Sequence, residues 1–143
     1  MSNASARPQG ASWVSPYIIV KDVDKAIKFY KDAFHFIVKN SAPSEDGCTM
    51  HAELLYKDQL LMFGKEGMYG STSHTPASSG VESPINLYIY CEDVDALYRH
   101  AVEAGAKSQA APDNMFWGDR MCRLLDLDGY VWCFATHLGE AKI

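Results

Sequence analysis

The octet Tyr17-Ile-Ile-Val-Lys-Asp-Val-Asp24 returns 71 residues later as Tyr88-Ile-Tyr-Cys-Glu-Asp-Val-Asp95, with five of its eight positions unchanged. At the same offset His51 falls on Cys122, Leu54 on Leu125, Leu61 on Trp132, Met62 on Cys133 and Phe63 on Phe134. An octet followed by matching apolar runs at one spacing is the mark of a duplicated structural unit rather than of chance. A chain built this way must fold one supersecondary motif twice.

Each copy has the same grammar. Residues 15–20 are β-branched and aromatic, which favours a strand, and Asp22 then offers a carboxylate to the exposed N–H groups of a following helix. Val23, Ile27, Tyr30 and Phe34 recur at helical spacing on one face of that helix. In the second copy Asp93 repeats the cap, Val94, Leu97, Tyr98 and Ala101 repeat the stripe, and Gly105 suits the helix end. Three further strands follow each helix, at about 35–39, 48–56 and 59–64, then about 107–111, 119–127 and 130–136. Asp128-Gly129 predicts a tight hairpin between the last two. The expectation is an α+β fold of two βαβββ modules, about 13–64 and 85–137.

The linking stretch 65–84 is rich in Ser, Gly and Thr and long for a connector, which predicts a mobile cover or a disordered insert. Residues 1–12 carry small and polar residues with Pro8 and Gly10, and Ser2-Asn3-Ala4 resembles a cloning remnant. They are read as a tail outside the single domain 13–143.

Composition narrows the function classes. A net charge of -5 without a Lys/Arg run argues against a phosphate-backbone footprint, so no nucleic-acid partner is expected. No apolar stretch is long enough to span a bilayer and no secretory signal is evident, which points to the cytoplasm and away from membranes. Cys48, Cys91, Cys122 and Cys133 show neither CxxC pairing nor zinc-site spacing, and read as free thiols in a reducing compartment.

Alternation along the strands sorts side chains by face. Leu87, Ile89 and Cys91 are assigned to the helix side, which leaves Asn86, Tyr88 and Tyr90 opposite; the repeat gives Ser15, Tyr17 and Ile19 for the first copy. On the last strand Trp132 and Phe134 pack under the helix while Val131, Cys133 and Ala135 look away. A face of Tyr, Asn, Ser and small residues suits a cup.

The paired units, the Val-Lys-Asp-Val-Asp24 and Cys-Glu-Asp-Val-Asp95 joints and the Asp126-Leu-Asp-Gly-Tyr130 hairpin resemble the glyoxalase, bleomycin-resistance and extradiol-dioxygenase (vicinal-oxygen-chelate) superfamily, over nearly the whole chain after residue 13. Met50-His-Ala-Glu-Leu54, Phe116-Trp-Gly-Asp-Arg120, Trp132 and Ala135-Thr-His137 resemble its PhnB-like branch. The resemblance implies that the two modules form curved mixed sheets around a cavity, with metal ligands on the first and last strands of each module. Carried over, those places hold Ser15, Met62, Asn86 and Cys133, which lack the imidazoles and carboxylates a catalytic divalent ion needs. No cofactor and no metal site are expected, and glyoxalase or dioxygenase chemistry is placed in doubt. The resemblance also implies a homodimer.

Several residues remain for recognition or chemistry. His51 and Glu53 share a face, as base and orienting carboxylate, as two ligands of an unconventional metal site, or as an exposed edge-strand ion pair. Trp117 and Arg120 offer a flat apolar wall and a fork for carboxylate or phosphate, or else fix a loop. Tyr17 and Tyr88 either meet a ligand or close a solid interior. His74 and His137 read as solvated, and His35 as a partner of the first helix end. The expected ligand-binding set is Tyr17, Met62, Asn86, Tyr88, Trp117, Arg120 and Cys133. Three functions compete: a metal-independent binder of a small organic molecule, an enzyme with a divergent site around His51 and Glu53, and a catalytically silent structural or regulatory dimer.

Overall fold

A computed structural model describes residues 6–43 and 47–139 of the chain. Two compact units are present, residues 1–31 with 35–74 and residues 32–34 with 75–143. The first holds β1 (Tyr17–Val20), most of α1 (Val23–Phe34), β2 (Ile37–Pro43), β3 (Thr49–Tyr56) and β4 (Gln59–Lys65). Its sheet has the order β1-β4-β3-β2, with β1 parallel to β4 and the other neighbours antiparallel. A short helix α2 (Pro76–Ser79) precedes the second set, β5 (Asn86–Tyr90), α3 (Val94–Glu103), β6 (Lys107–Asn114), β7 (Asp119–Leu125) and β8 (Val131–His137). That sheet has the order β5-β8-β7-β6, again with only its first pair parallel. The fold class is therefore α+β, two βαβββ modules with one topology.

Both helices begin as the sequence predicts. Asp22 Oδ1 accepts from the Lys25 N–H at 3.1 Å, and Asp93 Oδ1 accepts from the Ala96 N–H at 3.1 Å. Each cap is worth about 1 kcal/mol to its helix. Beneath α1, the Tyr30 ring packs edge-on against Phe63, 4.9 Å between centroids, and against Phe36 at 5.4 Å. In the second unit α3 buries Val94, Leu97 and Ala101, and Phe34 of residues 32–34 packs on Phe134 at 4.8 Å.

The duplication is visible in the ladders. Tyr17 pairs with Met62 across β1 and β4, and Tyr88 pairs with Cys133 across β5 and β8, so both partners keep the offset of 71. The β7 strand breaks it. In the first unit the hairpin closes at Tyr56 and Gln59, around a two-residue turn. In the second it closes at Leu125 and Val131, around five residues. Here Asp126 Oδ1 accepts from the N–H groups of Asp128 and Tyr130 at 3.0 and 2.9 Å, so its carboxylate holds a longer turn than Asp128-Gly129 alone would make. The offset along β7 is consequently 70, which sets Met121, not Cys122, opposite His51, and Arg123 opposite Glu53. A one-residue slip moves every side chain to the other face. Cys122 is buried on the helix side, where burial pushes its thiol up to about 12.

Two segments expected to stand apart from the fold are built into it. The linker carries a turn at Met68–Gly70 and α2, capped by Thr75, whose Oγ1 accepts from the Ser78 N–H at 3.0 Å. The Ala77 N–H donates to the Asp128 carbonyl at 2.9 Å, and Gly129, at φ +89° and with Ala77 N only 3.1 Å from where a Cβ would stand, leaves room for that contact. In the first unit Ser12 Oγ accepts from the Leu60 N–H at 3.0 Å, and the Arg7 guanidinium lies 4.8 Å from the Trp13 ring centroid. Residues 6–12 therefore pack on the β3–β4 hairpin, while the possible remnant at 2–4 lies outside the described residues. Among the described residues no helix is long and apolar enough to cross a membrane.

Candidate functional site

On the second sheet, the face turned away from α3 has an apolar floor and a polar rim. Met121, Val131, Cys133 and Ala135 form a buried cluster with Met115 and Leu125 packed on it. Cys133 is 3% exposed, and burial raises its thiol against the opposing pull of Arg123. The small side chains expected to line a cup thus make its solid base, and the accessible chemistry lies where β5, β7 and β8 end together.

There the organising group is Asp119, only 1% exposed. Its Oδ2 accepts from the hydroxyls of Tyr88 at 2.6 Å and Tyr90 at 2.9 Å, and its Oδ1 lies 2.9 Å from His137 Nδ1. Trp117 Nε1 donates to the Tyr88 hydroxyl oxygen at 3.0 Å. Gly118 makes this possible: its φ of +99° turns the chain so tightly that the indole swings back over β5, while its carbonyl accepts from the Leu138 N–H at 2.8 Å. Burial alone would raise the Asp119 carboxyl, but the donors on Tyr88, His137 and Tyr90 outweigh it and hold the group below its ordinary value. The carboxylate is an ionised hub with its donors in place.

The phenols respond in the opposite sense. Burial first, then the bond to Asp119, push Tyr88 up to about 12 against the opposing pull of Trp117, and Asp119 raises Tyr90 as well. A phenol whose folded value exceeds its unfolded value, about 10, stabilises the fold fully below the latter and loses that contribution as pH rises through the former. Alkaline titration followed by phenolate absorbance should show Tyr88 ionising near 12, and earlier in Asp119→Asn. A single tyrosine transition centred on the ordinary value would contradict the hub.

The first sheet gathers the other expected residues on one face. Tyr17 and Met62 are ladder partners, as are Glu53 and Met62, and His51 and Gly64. The Tyr17 ring lies over Gly64, where a Cβ would come within 2.5 Å of its hydroxyl oxygen, and its centroid is 5.8 Å from that of His51. His51 Nε2 stands 3.9 Å from Glu53 Oε1, and Glu53 is also 3.7 Å from Lys39 Nζ. The expected base and carboxylate share a face, but at ion-pair rather than hydrogen-bond distance.

Arg120 lies elsewhere. It points from the other face of β7 to α3, where Nε and Nη2 take both Asp95 oxygens at 2.8 and 3.0 Å and Nη1 reaches Asn114 Oδ1 at 3.0 Å. The fork recognises a carboxylate, but one of its own chain; that bond holds Asp95 below the ordinary range. Asn86 is exposed on the open face of β5, paired with Val131. His74, expected to be solvated, lies 2.7 Å from Glu66 Oε1. Asp119 and His137 are the site residues that sequence reasoning missed. A two-residue Asp128-Gly129 turn would have paired Leu127 with Tyr130 and sent Asp119 to Leu138; the longer turn pairs it with His137.

With this geometry the chain can be compared with known proteins. The family model described as the Glyoxalase/Bleomycin resistance protein/Dioxygenase superfamily matches residues 11–134. The chain belongs to that superfamily. An uncharacterized protein of Mycobacterium bovis is 32% identical over 132 residues, covering 91% of this chain and 86% of the relative. Among solved structures, TioX from Micromonospora sp. ML1 is similar in fold, with a TM-score of 0.72 and 24% identity over 90% of this chain and all of that one. The fosfomycin resistance protein FosX of Listeria monocytogenes, solved with Mn(II) and 1S,2S-dihydroxypropylphosphonic acid, gives a TM-score of 0.64 at 15% identity, covering 87% of each chain.

The superfamily raises the question of a divalent ion, and the four positions expected to hold one do not fit it. Ser15 and Met62 offer a hydroxyl and a thioether in the first unit, and Asn86 and Cys133 an amide and a buried thiol in the second. Among the described residues no three His, Cys, Asp or Glu side chains gather where they could hold one ion. The groups that do converge, around Asp119, number one carboxylate and one imidazole, with the Asp119 oxygens already accepting from Tyr88, Tyr90 and His137.

Proposed function

We propose that this protein binds a small organic molecule on the open face of its second sheet, by aromatic contact and hydrogen bonding and without a metal ion. The observation that carries the reading is the ring cluster fixed by Asp119. Tyr88, Tyr90 and Trp117 are 43%, 53% and 38% exposed, yet hydrogen bonds lead from all three, directly or through Tyr88, to one buried carboxylate. Half-exposed rings held rigid lose little conformational freedom when a planar molecule settles on them. Phe116, 76% exposed and edge-on to Trp117 at 5.0 Å, extends the apolar surface.

Because this cluster is built from Phe116-Trp-Gly-Asp119, the segment that resembles the PhnB-like branch, it also supports assigning the chain to that branch. The catalytic reading around His51 and Glu53 has less support, since a base needs its orienting carboxylate at hydrogen-bond distance. The test is a thermal-shift and calorimetric screen of aromatic metabolites and antibiotics on the wild type and on Trp117→Ala. A true ligand at one hundred times its Kd raises stability by about 2.7 kcal/mol, and Trp117→Ala should remove most of that gain. If no compound shifts the wild type, or Trp117→Ala responds equally, the reading fails.

A further inference from the structure

We propose that the molecule received on this face carries an acidic hydroxyl on a planar ring, a phenol or an enol, and that His137 Nε2 takes its proton. This rests on the binding reading above and adds the ligand's chemical class. Asp119 is an ionised acceptor, so the 2.9 Å contact with His137 Nδ1 requires the imidazole to be the donor there. In the neutral ring the lone pair then lies on Nε2, at the outer end of a side chain that is 54% exposed.

The other polar groups of the cluster face inward. Tyr88 donates to Asp119 and accepts from Trp117, and Tyr90 also donates to Asp119. The basic atom not engaged by Asp119 is His137 Nε2, on a side chain that shares that carboxylate with Tyr88 and Tyr90, and what complements it is a donor. On transfer the ligand's O–H bond breaks and an Nε2–H bond forms. The oxyanion then faces an imidazolium whose charge Asp119 balances from β7, with the neutral phenols of Tyr88 and Tyr90 beside it on β5. Asp119 is a positioning residue, since it acts through the imidazole.

The probes are 4-nitrophenol, whose anion is coloured, and 4-nitroanisole, which has the same ring without the acidic proton. At a pH where free 4-nitrophenol is mostly neutral, binding to the wild type should produce the phenolate band. His137→Asn keeps an N–H for Asp119 but removes the base. It should abolish the band and weaken 4-nitrophenol about tenfold, as expected for one charge-assisted hydrogen bond, while leaving 4-nitroanisole unchanged. Should His137→Asn not fold, nitrogen-15 NMR of the wild-type imidazole decides: a neutral ring with its hydrogen on Nδ1 supports the assignment, and one with it on Nε2 overturns it. Binding of 4-nitrophenol without the band, or equal binding by the variant, overturns this proposal alone. Failure of both probes together with the aromatic screen overturns the binding reading as well.

Discussion

Phe63→Ala and Phe134→Ala should each cost about 4 kcal/mol, the usual loss when a fully buried aromatic leaves a cavity. Both side chains are 0% exposed and occupy the same place in the repeat, one on β4 facing Tyr30 at 4.9 Å and one on β8 against Phe34 at 4.8 Å. A domain of this size has roughly 5–15 kcal/mol in all, so either variant should lower the urea midpoint by a large fraction of its wild-type value. Urea unfolding monitored by far-ultraviolet circular dichroism would check it. A cost below about 1 kcal/mol for either residue would mean that its core relaxes around the void, and that the two copies are not energetically equivalent.

Those two residues also show what could be read from the chain alone. Strand alternation places Phe134 on the helix face and the offset of 71 sets Phe63 in the same place of the first copy, and both are consequences of local chain geometry. Caps, helices and the eight strands follow in the same way from Asp22, Asp93 and the repeated octet, whereas the parallel pairing of β1 with β4 and of β5 with β8 is seen only in the structure. What could not be read turns on one residue. The Asp126 carboxylate holds a five-residue turn where Asp128-Gly129 invites a two-residue one. That difference exchanges Cys122 for Met121 on the open face and joins Asp119 to His137. The α2 segment was legible in principle: Thr75 then Pro76 is a helix start, and Gly80 a stop. A composition rich in Ser and Gly hid it. Arg120 was a fork in search of a carboxylate, and which carboxylate answered depended on tertiary packing of α3 against β7.

Asp119→Ala should be the most informative change at the site. The side chain is 1% exposed and accepts from three donors, at 2.6, 2.9 and 2.9 Å. A hydrogen bond to a charged group contributes about 1.5–3 kcal/mol, but the two tyrosines and His137 are exposed enough to recover water, so a net loss of about 3 kcal/mol is expected. In a chain of this length that corresponds to a fall in Tm of roughly 10 °C. The pH dependence identifies the source. A carboxyl held below its ordinary value stabilises the fold fully above the unfolded value, about 4, and the contribution is lost as pH falls through the folded one. The wild type's advantage over Asp119→Ala should therefore be constant through neutral pH and shrink in acid. An advantage that survives undiminished in acid would assign it to packing, not charge. The same variant should release Trp117 and both tyrosines from their fixed positions, so ring-dependent binding should weaken along with stability. Loss of stability with undiminished ligand affinity would separate the clasp that holds the strand ends from the surface that meets the ligand.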